Sequence, residues 1–111
     1  MPMLNLKCSK AVPPELVAEM SSVVAETIGK PEKFVMVAVS QTDLLMGGTA
    51  DAAAHAEVKS IGGLDRVVNH EITMKLCLLM EDWLGIPQDR VYVTFQSVDA
   101  AFWGWNGKTF G

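Results

Sequence analysis

Ile28-Gly29-Lys30-Pro31 returns 56 residues later as Leu84-Gly85-Ile86-Pro87, and the fold follows from what surrounds this pair. Upstream of the first copy stand Leu16, Met20, Val23, Val24 and Ile28; upstream of the second stand Ile72, Leu76, Leu79, Met80 and Leu84, at the same offset. Spacings of three and four make one apolar stripe on each of two helices. Each helix stops in the same way: glycine takes the left-handed cap, and a proline two residues on cannot continue the helix. The spacing predicts helices from about Pro14 to Ile28 and from Asp65 or Val67 to Leu84, with Asn69 able to cap a later start.

A strand follows each helix. Phe34 to Ser40 is nearly all apolar, which predicts a strand covered on both faces. Val91 to Gln96 alternates, with Val91, Val93 and Phe95 on one side and Tyr92, Thr94 and Gln96 on the other. Met3 to Cys8 and Ala54 to Ile61 read as strands before the helices, Gly47-Gly48 and Gly62-Gly63 as turns, and short extra strands fit near Leu44–Met46 and Trp103–Trp105. The expectation is an α+β fold: a duplicated β-α-β, ferredoxin-like, with a four-stranded sheet and two helices on one face. One domain over residues 1–111 holds two pseudo-repeats, roughly 1–55 and 56–111. Nothing in this plan covers the other sheet face, which points to an oligomer.

Composition narrows the function classes. The 111 residues are 50% apolar and 20% charged, which excludes disorder. No apolar run reaches the roughly 18 residues that span a bilayer, so membrane insertion is not expected. A net charge of −4 argues against nucleic acid as a partner. Met1-Pro2-Met3-Leu4 lacks the charged-then-apolar pattern of a secretory signal, and two cysteines, Cys8 and Cys77, are too few for a disulfide scaffold; a cytoplasmic location is expected. Half-apolar composition is also generous for a chain that buries only about 65% of its unfolded surface, and self-association would explain it.

Familiar sites are missing. There is no glycine-rich nucleotide loop and no P-loop, and His55, His70 and two distant cysteines match no common zinc spacing, so no metal is expected. The carboxylates are scattered singly. Pro2 stands apart: with Met1 removed its nitrogen is a free secondary amine, a base once neutral. An apolar site and a nearby lysine, Lys7 or Lys30, would both lower its pKa toward working pH.

Met1-Pro2-Met3, Ile28-Gly29-Lys30-Pro31, Gly47-Gly48-Thr49, Lys59-Ser60-Ile61-Gly62-Gly63, Asp89-Arg90-Val91-Tyr92 and Gly104-Trp105-Asn106-Gly107-Lys108-Thr109-Phe110 occur in this order along the whole chain. Together they resemble the macrophage migration inhibitory factor and D-dopachrome tautomerase family. The resemblance implies a homotrimer whose sheets line a central channel. It also implies cofactor-free keto–enol tautomerisation of a small aromatic α-keto acid or enol, phenylpyruvate-like or dopachrome-like. By the same resemblance Pro2 is the catalytic base and Lys30 holds the substrate carboxylate or carbonyl. Ile61 contributes its backbone, Tyr92 comes from the neighbouring subunit with Thr94 beside it, and Phe34, Trp105 and Phe110 form an aromatic rim. Thr94 stands where the mammalian member has asparagine, Phe34 replaces a tyrosine, and Phe102-Trp103 replaces smaller residues before Gly104. The stretch Ala53-Ala54-His55-Ala56 lacks the family's Cys-x-x-Cys, which argues against thiol–disulfide chemistry. The alternative function is a cytokine-like signalling or binding protein that meets a protein receptor and is exported without a signal peptide, as the family is known to be.

Overall fold

A computed structural model describes all 111 residues. The elements run β1 (Pro2–Cys8), α1 (Pro14–Ile28), a 3-10 turn (Glu32–Phe34), β2 (Met36–Gln41), β3 (Ala54–Ser60), α2 (Arg66–Leu84), a 3-10 turn (Gln88–Arg90), β4 (Val91–Ser97), a third 3-10 turn (Ala100–Phe102), and the two-residue strands β5 (Gly104–Trp105) and β6 (Lys108–Thr109). The main sheet has the order β2-β1-β3-β4. β1 pairs parallel with β2, β3 parallel with β4, and β1 antiparallel with β3. Each helix therefore joins neighbouring strands, and the two β-α-β units meet along the central β1–β3 seam.

The core lies between this sheet and the helices. Leu4, Leu6 and Cys8 from β1 meet Ala54, Ala56 and Val58 from β3, capped by Leu16, Met20, Val24 and Ile28 of α1 and Ile72, Leu76, Cys77 and Met80 of α2. The stripe residues of both helices are thus the buried ones, with Val23, Leu79 and Leu84 packed at the margin. Gly29 (φ 81°) and Gly85 (φ 65°) take the left-handed caps expected of them. No helix is long and apolar enough to cross a membrane.

Three local expectations are corrected. The helix α2 starts at Arg66, inside the expected bounds, because the Asp65 carboxylate accepts from the Val68 amide at 2.8 Å; the later start capped by Asn69 is what fails. Asn69 lies inside the helix, and its buried Oδ1 has no partner. Phe34 is outside the sheet. Pro31 opens a 3-10 turn in which the Phe34 amide donates to Pro31 O and the Val35 amide to Glu32 O, so β2 begins only at Met36. Nor is β2 covered on both faces, because it is an edge strand with no layer opposite the helices; Met36 and Val39 are exposed.

The link from β2 to β3 is held chiefly by one side chain, with Ser9 Oγ bonded to both the amide and the carbonyl of Ala53 at its end. Arg90, at the foot of β4, donates from Nε to Ala52 O, from Nη1 to Met46 O, and from Nη2 to Thr49 O and Asp51 O, all at 3.0–3.1 Å.

An N-terminal cap of this kind is worth about 1 kcal/mol. Asp65→Ala should lower unfolding free energy by about that much in urea denaturation. Asn69→Ala should cost less, because it removes an orphaned acceptor and installs a better helix former.

Candidate functional site

Pro2 opens β1, the strand position where a residue without an amide hydrogen is tolerated. It pairs with Ser60 across the seam, so the start of the chain and the end of β3 lie together. The Ile61 amide reaches Met1 O at 3.4 Å, and Lys30 Nζ donates to Ile61 O at 3.0 Å. Lys30 gets there because the Gly29 cap turns the chain off α1 toward the Gly62-Gly63 turn. Gly63 (φ +80°) admits no side chain: a Cβ there would lie 2.6 Å from Ile28 Cγ2 and 3.5 Å from Lys30 Cε. The glycine is needed for its left-handed turn and its close approach to Ile28, and it leaves Lys30 in ordinary contact beside it.

In this structure the Pro2 nitrogen carries Met1 as an amide, and the Pro2 ring is buried beneath it. The free amine at this end of the chain is Met1's. Partial burial lowers its pKa from the ordinary value, and the Lys30 charge lowers it further. Both effects disfavour an ammonium at this place.

Beside Pro2 lies a recess of about 390 Å³ lined by Met1, Pro2, Met3, Lys33, Phe34, Val35, Met36, Trp103, Gly104 and Trp105. Its aromatic wall is built within one chain. The Phe34 and Trp105 rings meet edge to face at 5.9 Å between centroids, and Trp105 stacks on Phe110 at 6.0 Å. Such pairs add about 0.5–1.5 kcal/mol each beyond buried area. The β5–β6 hairpin presents Trp105 through the two-residue turn Asn106-Gly107, with φ of 53° and 82°. That Asn-Gly pair is the sequence signal for a hairpin here, more specific than the extra strand expected near Trp103.

Pro2, Lys30, Ile61, Phe34, Trp105 and Phe110 thus gather at one end of the sheet, but Tyr92 and Thr94 do not join them. Tyr92 pairs with His55, which pairs with Lys7, five residues along β1 from Pro2. That is about 17 Å along the strands. Tyr92 is 63% exposed on the uncovered sheet face, and Thr94 Oγ1 lies 2.9 Å from His55 Nε2. Of the recess residues that sequence reasoning did not name as site members, two carry an aromatic or charged side chain. Trp103 faces the recess while its neighbour Phe102 is 80% exposed, and Lys33 lines the rim with Nζ 5.0 Å from the Phe34 ring centre. No group of three His, Cys, Asp or Glu residues lies close enough to hold a metal ion. Cys8 and Cys77 are buried and unpaired. Burial, with Glu81 nearby, pushes the Cys77 thiol up, away from nucleophilic use.

The profile of the macrophage migration inhibitory factor family matches residues 1–111. The macrophage migration inhibitory factor of Rattus norvegicus is 36% identical over 101 residues, covering 90% of this chain and 88% of its own. The Brugia malayi homologue is 39% identical over 92 residues, covering 82% and 80%. The crystal structure of the homologue from Prochlorococcus marinus superposes with a TM-score of 0.91 at 40% identity, covering 98% of this chain and 99% of that one. Matched from end to end in sequence and in backbone, the chain belongs to the macrophage migration inhibitory factor family.

Proposed function

We propose that the chain is a cofactor-free keto–enol tautomerase of aromatic α-keto acids and related enols, phenylpyruvate-like or dopachrome-like, with Pro2 as the proton carrier once Met1 is removed. One observation carries the reading. The first nitrogen of the processed chain would open into a recess without a carboxylate, one residue from the Met1 amine, whose ammonium burial and the Lys30 charge both disfavour.

The chemistry follows from that placement. The neutral Pro2 amine takes a proton from the carbon next to the keto group, and the C–H electron pair becomes the C=C bond of the enol. The carbonyl π pair moves onto oxygen, which then takes up a proton. In the reverse direction the amine accepts the enol O–H proton and the same carbon is protonated. Lys30, freed from Ile61 O, neutralises the carboxylate or the developing oxyanion, and Ile61 O is then open to accept a hydrogen bond from a substrate hydroxyl. The aromatic body of the substrate lies against Phe34 and Trp105.

The site is completed by a second copy. Tyr92 and Thr94 are remote from Pro2 in their own chain but stand on an uncovered sheet face beside a free edge. The exposed surface, 6421 Å², exceeds the roughly 6,000 Å² of an ordinary monomer this size. Only 20 of 111 residues are buried although half the sequence is apolar, so much apolar surface awaits cover. A homotrimer with Tyr92 of one copy at Pro2 of the next meets these demands.

Three outcomes are expected. Protein whose intact mass shows Met1 removed turns over phenylpyruvate, while Pro2→Ala and Met1-retaining protein lose at least about a hundredfold, since an amide nitrogen is no base. No rate above the variant in processed protein would instead leave the recess as the ligand site of a binding protein. The rate rises with pH as the Pro2 ammonium deprotonates. Lys30→Ala moves that rise to higher pH, because removing a positive charge restabilises the ammonium, and it raises KM. Light scattering gives three times the chain mass of 12.0 kDa.

A further inference from the structure

We propose that the recess beside Pro2 prefers a keto acid with a second anionic group remote from its carboxylate, and that Lys33 is the residue that reads it. This rests on the tautomerase reading above and narrows its substrate class.

Two ammonium groups come from one short segment. Lys30 leaves the α1 cap and is tied to Ile61 O. Lys33, on the 3-10 turn that follows, lines the recess with Pro2, Val35, Trp103 and Trp105. None of the lining residues is acidic, and the one ion pair in the molecule, Lys75–Glu71, is elsewhere. Glu32, the nearest carboxylate in sequence, receives Ser22 Oγ. Two cations without an ion-pair partner, Lys33 on the recess wall and Lys30 close enough to the chain start to act on the Met1 amine, stand at one mainly apolar recess of a protein whose net charge is −4. A monoanionic keto acid needs only one of them.

The aromatic wall sets how the second is met. Phe34 and Trp105 hold a planar body, and Lys33 Nζ already rests 5.0 Å from the Phe34 ring centre. At an exposed site this cation–π contact is worth only about 0.5–1 kcal/mol, weak enough for a carboxylate to draw the ammonium away. A planar acid with its α-keto carboxylate at Lys30 would present a distal carboxylate to Lys33.

The test compares phenylpyruvate with 4-carboxyphenylpyruvate on Met1-processed wild type, Lys33→Gln and Lys33→Arg, by kcat/KM and by calorimetric binding. The wild type should favour the dicarboxylate about fivefold, the contribution of one solvent-exposed charge pair. Lys33→Gln should bring the ratio to about one, Lys33→Arg should keep it, and 0.5 M salt should shrink it. A ratio that is the same in wild type and Lys33→Gln overturns the role of Lys33. If neither acid is turned over, the tautomerase reading fails, and the binding ratio still decides for or against Lys33.

Discussion

The antiparallel seam between β1 and β3 is the constraint on which the rest depends. Seven residue pairs, from Pro2–Ser60 to Cys8–Ala54, join the two β-α-β units into one sheet. Its inner side carries Leu4, Leu6, Ala56 and Val58, at most 1% exposed, and both helices pack upon it. Burying a leucine fully is worth about 1.5–3 kcal/mol, so these positions hold the register firmly. A slip of one residue would turn all of them to the open face. The same register places Pro2 level with the end of β3, and so brings Ile61, and with it Lys30, to the chain start.

How much of this was legible in the sequence depends on what a linear pattern can encode. The two Gly-x-Pro helix ends and their stripes gave the α+β plan, because helix period and cap chemistry are local. Pro2 and Lys30 could be named because each sits in a short motif of the family. The β2 edge was not legible: Phe34 to Ser40 is apolar along its length, but which strand lacks a neighbour is decided by sheet order. Phe34 left the strand because Pro31 starts a 3-10 turn, and that displacement is what frees its ring to meet Trp105. Trp103 and Lys33 were missed as site members because they reach the recess only through a hairpin and a turn that fold back from different parts of the chain. Tyr92 and Thr94 show the opposite case: the resemblance names them, and the single chain alone leaves them far from Pro2.

The division of labour across the sheet is uneven. The helix side is closed and apolar. The other side carries Asn5, Lys7, His55, Glu57, Lys59, Tyr92, Thr94 and Gln96 by strand alternation, with no layer upon it. A polar face is tolerable in water, whereas the unpaired edge of β2 and exposed Met36 and Phe102 are costlier to leave bare. The radius of gyration, 14.2 Å against about 13.2 Å for a compact chain of this length, goes with an elongated outline of 43 × 26 × 23 Å.

Arg90 carries a consequence for how such a chain can change over generations. The link between the two units has almost no ladder of its own, yet four of its contacts go from one guanidinium to main-chain oxygens of Met46, Thr49, Asp51 and Ala52. Carbonyl oxygens are the same in every residue. Apart from buried Ala53 and the left-handed Gly47-Gly48, the side chains of this link are therefore free to drift, and new surface character can be written there, while Arg90 keeps its path tied to the foot of β4.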